Sequence, residues 1–403
     1  MEHRTGETGG MTMFVLVKNA TVYAPEPLGR RDILLAGERI AWMGQDFPEN
    51  GTLPDLEVLD ASDLFAVPGF VDGHVHLCGG GGEGGFATRT PEIALSSLVR
   101  GGVTSVVGVL GTDSVTRTTA NLVAKARGLV EEGVSAWCLV GSYQLPVKTL
   151  TGSVEGDLVL VDRIIGVGEI ALSDHRSSQP LVEEVAKVAA AARVGGMLAG
   201  KAGVVNVHLG DGPRGLDFLR RICAETEIPL SQFLPTHMNR NPSLFEEGIR
   251  YAQGGGFVDL TTSTTRKFLE EGEVSCAEAL RRLLEAGVPP ERISFSSDGQ
   301  GSLPDFDAAG TLKGLTVGSV ESLFEAVREA VLTEGVPLAE ALPVVTSTPA
   351  TVYKLPGKGA LRRGFDADLV LLDRETLHIS SVLARGRILL RNGTLLAKGT
   401  FEA

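Results

Sequence analysis

Short apolar runs alternate with amphipathic stretches along the middle of this chain, and the alternation recurs eight times. The runs are FAVPGFVDGHVH (65–76), TSVVGVLG (104–111), SAWCLVGSY (135–143), RIIGVGEIAL (163–172), GVVNVHLG (203–210), SQFLPTHM (231–238), GFVDLTTS (256–263) and RISFSSDG (292–299). Apolar runs this short, bounded by turn residues, read as buried strands. Helical periodicity fills most of the intervals, over 91–100, 115–132, 181–199, 214–226, 275–287 and 319–334. Eight strand–helix alternations predict an α/β fold, a (β/α)8 TIM-like barrel. Segments 264–274 and 300–317 exceed ordinary connections and are candidates for function.

The two chain ends follow another pattern. Strand-like pieces crowd residues 13–62 and again 367–401, and turn residues such as Asn392-Gly393 punctuate the second set. They predict one small β-sandwich-like domain built from 11–66 and 352–403, flanking a barrel over 67–351. Residues 1–10 are polar and Gly-rich and read as a loose tail, with Met11 and Met13 as alternative starts. They lack the apolar stretch of a secretion signal.

Composition narrows the picture. Lys and Arg total 37 against 50 Asp and Glu, a formal charge of −13. With no basic stripe, nucleic acid is excluded as a partner. No apolar run approaches membrane-spanning length, so a membrane is excluded too. The four cysteines, Cys78, Cys138, Cys223 and Cys276, form no CxxC, which fits a reduced, cytoplasmic setting. Cys138 and Cys276 read as small core residues, and Cys78 as a bystander to the histidines nearby.

The chemistry lies where the strand runs end. His74 and His76 close the first run, Glu169 lies late in the fourth, and His208, His237 and Asp298 end the fifth, sixth and eighth. The C-terminal strand ends form the active face of such a barrel. His74 and His76, two apart, point the same way from one strand. One HxH pair is a weak signal. Four of seven histidines at strand ends, joined by two carboxylates, make a metal site. Glu169 is a lone acid in a buried strand and needs a cationic partner. It is expected to bridge two divalent cations, with His74, His76 and Asp298 completing one site and His208 and His237 the other. The competing expectation is a buried ion pair with Arg163 or Arg176. His3 and His378 read as solvated or structural, and His175 at most as a support behind the ligands.

PGFVDGHVH resembles the first-strand signature of the amidohydrolase superfamily, and THMNRN and SFSSDG fit its later strands. GGGGEGGFATRTPE, GVTSVVGVLGTD, GSVEGDLVLVDRIIGV, SDHRSS and SSDGQGSLP resemble the isoaspartyl (β-aspartyl) dipeptidases, over barrel and flanking domain alike. The resemblance implies metal-dependent hydrolysis of the isoaspartyl amide bond of a small dipeptide, and a homo-oligomer. His and carboxylate donors suit two Zn ions best, with Mn, Co, Ni or Fe as alternatives. Asp298 is the expected general acid/base. The resemblance gives Tyr143 the role of oxyanion donor, Glu83 that of receiving the substrate amine, and Arg176 and Arg240 that of binding its carboxylates. Thr112 and Ser302 add hydroxyl contacts.

One departure stands out. The family carries a carboxylated lysine on the fourth strand, yet no Lys occurs between Lys148 and Lys187 here. Glu169 stands at that place, in a segment one residue longer. Its shorter side chain requires the backbone to approach the metals, and Gly166 and Gly168 permit a bulge that would do so. The rival readings are an amidohydrolase acting on cyclic amides or N-acyl amino acids, and a non-enzymatic scaffold on the same barrel.

Overall fold

The computed structural model describes residues 14–48, 53–306 and 312–402; the expected tail, residues 1–10, lies outside them. Five strands come first: β1 (Phe14–Tyr23), β2 (Pro27–Ala36), β3 (Arg39–Gly44), β4 (Leu56–Asp60) and β5 (Leu64–Pro68). The barrel strands follow: β6 (Phe70–Val75), β7 (Val103–Gly108), β8 (Ser135–Val140), β9 (Ile164–Leu172), β10 (Val204–Leu209), β11 (Phe233–Thr236), β12 (Val258–Thr261) and β13 (Ile293–Ser296). A hairpin, β14 (Ser302–Phe306) and β15 (Leu312–Val317), and the strands β16 (Leu369–Asp373), β17 (Ile379–Ala384), β18 (Arg387–Arg391) and β19 (Thr394–Leu395) complete the set.

Strands β6 to β11 form a continuous parallel sheet, and β12 pairs β13. Met238 N–H donates to Asp259 O at 3.1 Å, linking the end of β11 to β12, and His76 N–H donates to Gly299 O at 2.9 Å, returning the circle to β6. The barrel is closed at its mouth by these contacts. Helices flank it: α1 (Leu95–Arg100), α2 (Thr119–Glu132), α3 (Val154–Leu160), α4 (Val182–Ala199), α5 (Asp217–Glu225), α6 (Pro242–Gln253), α7 (Arg266–Glu270), α8 (Cys276–Glu285) and α9 (Ser322–Leu332).

Three of these helices, α3, α6 and the short α7, have no counterpart in the periodicity. Helix α3 leaves Val159 and Leu160 exposed, which blurs an amphipathic stripe. Helix α6 has a Gly at 248, although Asn241 caps it by accepting from Leu244 N–H at 2.9 Å and Pro242 opens it. The long segment 264–274 contains α7, and 300–317 contains the β14–β15 hairpin.

The chain ends meet in one hydrogen-bonded network of nine strands, ordered β19-β18-β17-β16-β5-β1-β2-β3 with β4 also on β1. The expected sandwich-like unit is thus a single network branched at β1. Val15, Val17, Ile33, Ile40, Leu369 and Leu383 share its core. The first apolar run is divided at Gly69: Leu64–Pro68 belongs to this sheet, and only Phe70–Val75 to the barrel. A Cβ at Gly69 would lie 2.2 Å from Thr104 Oγ1, so the crossing from sheet to barrel is close-packed. At the other boundary Val352, Tyr353 and Leu355 pack inside the barrel with Val71, Val107 and Leu139. Buried Lys358 fastens the two units, its Nζ 2.7 Å from Asp366 Oδ2, 2.5 Å from Asp368 Oδ2 and 2.7 Å from Ser135 Oγ at the start of β8.

Candidate metal centre

Glu169 enters the mouth on a bulge. Val167 pairs with Val205 and Ile170 with Val207, so Gly168 and Glu169 together face Asn206. This is the bulge expected from the glycines, and it re-aims the side chain that follows it. Gly168 has φ +146°, and a Cβ there would lie 2.7 Å from Asn206 O. Glycine is required at that point.

Around Glu169 the histidines converge. Oε2 is 3.4 Å from His74 Nε2, 3.2 Å from His208 Nδ1 and 3.7 Å from His237 Nε2; Oε1 is 3.5 Å from His76 Nε2. Asp298 Oδ1 is 3.1 Å from His76 Nε2 and 3.8 Å from His74 Nε2. Neither arginine of the competing reading pairs with Glu169: Arg163 meets Asp162, and Arg176 meets Asp174 and Glu83. His237 and Asp298 have φ of 62° and 51°. Left-handed backbone at a non-glycine residue costs about 1–3 kcal/mol, and here it turns each side chain inward at a strand end.

Two trios could each hold a cation, with donor atoms within 4.8 Å of one another: His74, His76 and Asp298, and His74, Glu169 and His237. The expected set differs in one respect. His208 faces Glu169 but lies outside the second trio, and its ring also meets Tyr143 and Asp174. His74 Nε2, Glu169 Oε1 and Asp298 Oδ1 are buried without a hydrogen-bond partner. Orphaned donor atoms of this kind, all imidazole or carboxylate, fit divalent cations.

The electrostatics ask for positive charge. Burial opposes ionisation of Glu169, but the His74 charge and the His208 and His237 imidazoles facing it hold its pKa well below the usual carboxylate range. Burial pulls His74 down, yet the Glu169 charge outweighs it and raises its pKa to about 9. His237 goes the other way, to about 3, through burial and the neighbouring His208. Burial works against Asp298 also, and the neighbouring His76 lowers it regardless. A cavity that holds two carboxylates ionised and raises the His74 pKa between them is poised for a stronger cation.

Behind the ligands stand residues that the sequence did not single out. His74 Nδ1 lies 3.1 Å from Asn206 Oδ1, and His237 Nδ1 2.6 Å from Thr261 Oγ1. Such partners fix ring orientation. Asp72 accepts from Ser297, and Asp259 from Thr236 and Ser296; burial raises the two carboxyls to about 7 and 6. Asp174 meets His208. It lies in SDHRSS, two residues beyond β9, and a polar loop residue there carries no periodic signal. His175, its neighbour, is exposed, and His378 lies near Arg328 in the sheet unit.

A second group gathers beside the ligands. Glu83 accepts from Thr112 Oγ1 at 2.8 Å and Ser302 Oγ at 3.4 Å, and lies 3.5 Å from Arg176 Nη1. Tyr143 Oη is 2.9 Å from His208 Nδ1, and the Arg176 guanidinium lies over the Tyr143 ring at 5.2 Å. Burial keeps the Tyr143 hydroxyl protonated well above its ordinary pKa. Arg240 stands apart, Nη1 3.9 Å from Asp211 Oδ2, with its buried Nε unpartnered. Cys78 packs in the core and joins neither trio.

Comparison with known proteins places this geometry. The sequence profile of the amidohydrolase family matches residues 65–390. The chain is similar to a crystal structure of β-aspartyl dipeptidase from thermophilic, keratin-degrading Fervidobacterium islandicum in complex with β-Asp-Leu. The two are 45% identical with a TM-score of 0.91, over 97% of this chain and 100% of that one. An imidazolonepropionase of Anaeromyxobacter dehalogenans is 25% identical over 391 residues, 84% of this chain and 83% of that protein. A dihydroorotase of Clostridium acetobutylicum is 31% identical over 166 residues; the match spans 40% of this chain and 35% of that enzyme.

Proposed function

The chain belongs to the amidohydrolase family, and within it to the β-aspartyl dipeptidases, and on that premise we propose that it hydrolyses the isoaspartyl amide bond of small dipeptides. The observation that carries the reading is the junction of two clusters in one mouth: cation donors on one side, and Glu83 with Arg176 beside them. An isoaspartyl dipeptide offers a free α-amine and two α-carboxylates close to the reacting amide. One anion and several cations or donors match it.

Two divalent cations, Zn by donor preference, held by His74, His76, Glu169, His208, His237 and Asp298, would polarise the scissile carbonyl and lower the pKa of water. The protein's own groups do the rest. Asp298 takes the proton of the attacking water at its carboxylate and passes it to the leaving amine. Tyr143, kept protonated by burial, donates to the developing oxyanion. Glu83 receives the α-amine, with Thr112 and Ser302 steadying its carboxylate. Arg176 and Arg240 bind carboxylates. We assign the enzyme to the cytoplasm as a homo-oligomer, a setting supported by Cys78, Cys138 and Cys276 serving as buried apolar side chains. Among the described residues no helix is long and apolar enough to cross a membrane.

The test is turnover with bound metal quantified. β-Asp-Leu should exceed dihydroorotate, hydantoin and N-acetyl amino acids, and Asp298→Asn should lower kcat by about 10²–10⁴. A cyclic amide turned over faster than β-Asp-Leu would replace this reading with the cyclic-amide one.

A further inference from the structure

We propose that Asp174 is the positioning residue that couples the two clusters, one carboxylate holding His208 towards the cation side and Arg176 towards the substrate side. The inference rests on the reading above. Asp174 Oδ2 lies 3.1 Å from His208 Nε2 and accepts from Arg176 Nη2 at 2.8 Å. Oδ1 accepts from Arg176 Nε at 3.0 Å and from the Arg176 backbone N–H at 2.7 Å. The guanidinium is thus gripped as a fork, which fixes its plane as well as its position.

The grip decides what the far ends of both partners do. In the tautomer that donates Nε2–H to Oδ2, the Nδ1 lone pair is left for a cation shared with Glu169 Oε2, 3.2 Å away. A carboxylate behind an imidazole fixes the tautomer and strengthens the ligand. The free end of Arg176, Nη1, is left 3.5 Å from Glu83 Oε1. The backbone is shaped around this carboxylate. A Cβ on Gly210 would lie 2.6 Å from both Asp174 Cβ and Oδ2. Gly212 N–H donates to Ser173 O at 2.7 Å and Gly215 N–H to Ser173 Oγ at 3.0 Å, locking the loop after β9 onto the loop after β10.

The experiment compares Asp174→Asn with Arg176→Met, reading Zn²⁺ affinity by chelator competition and KM and kcat for β-Asp-Leu. Arg176→Met should raise KM and leave Zn²⁺ affinity at the parent value. Asp174→Asn should do both, weakening Zn²⁺ binding about 10–100-fold and raising KM by about tenfold or more. Asp174→Glu, which restores the carboxylate, should recover part of each loss. Parent-like Zn²⁺ affinity in Asp174→Asn, or a Zn²⁺ loss with the parent KM, overturns the coupling. If circular dichroism shows Asp174→Asn unfolded, Asp174→Ser takes its place with the same two readouts. A parent chain that binds Zn²⁺ but leaves β-Asp-Leu intact overturns the substrate reading instead, and the Zn²⁺ titration then judges Asp174 separately.

Discussion

Inside the barrel, Tyr353 fills the space against Gly73 and donates its hydroxyl to Gly73 O at 2.8 Å, among Val71, Val107, Leu139 and Leu234. One residue further along the same strand, His74 Nε2 is buried with no hydrogen-bond partner. In the first region the Tyr353 hydroxyl is satisfied and the ring encloses apolar surface, which is how a core is stabilised. The second leaves donors unpaired and places carboxylates next to imidazoles, which a core optimised for stability would avoid. A Cβ on Gly73 would lie 2.7 Å from the Tyr353 ring, so the two regions interlock through a single glycine. Function and stability are separated here by about the length of one residue.

The separation can be broken most forcefully at Glu169. Glu169→Ala should lower kcat/KM by about three orders of magnitude or more, since several kcal/mol of charge stabilisation depend on the cations it helps to hold. Emission spectroscopy should find metal lost in parallel, and full metal occupancy would remove Glu169 as a bridge. Next comes Tyr353→Ala, which should cost about 3–5 kcal/mol of stability in denaturant unfolding. The folded, zinc-loaded fraction should keep a kcat near the parent's. A loss of kcat rivalling that of Glu169→Ala would erase the division between the two regions. The smallest effect is expected at the rim. Glu83→Gln should reduce kcat/KM for β-Asp-Leu about 10–100-fold, the worth of a charge-assisted hydrogen bond, with metal content and melting temperature unchanged. Unaltered kinetics would remove Glu83 from the substrate site.

Much of this was legible beforehand, for physical reasons. Short apolar runs bounded by turn residues marked all eight barrel strands, and the HxH spacing with late polar residues marked the mouth. The extra residue and glycines around Glu169 foretold the bulge. What stayed hidden was tertiary. The boundary at Gly69 could not be read because one unbroken apolar run serves two sheets. Helix α3 exposes valine and leucine, and β14 contains a proline, so neither follows its usual pattern. Asp174, Asn206 and Thr261 act through partners 34, 132 and 24 residues away. No spacing rule reaches that far.

The crossing at Gly69 has a bearing on how small this enzyme can be made. Strand β5 is zipped against β16, Ala66 opposite Leu371, and Gly69 N–H donates to Asp368 O at 3.0 Å just before the chain turns into β6. The first two imidazoles therefore hang from a mooring tied to the far terminus of the polypeptide. A pared-down cylinder, stripped of the flanking strands from either end, would set His74 and His76 adrift.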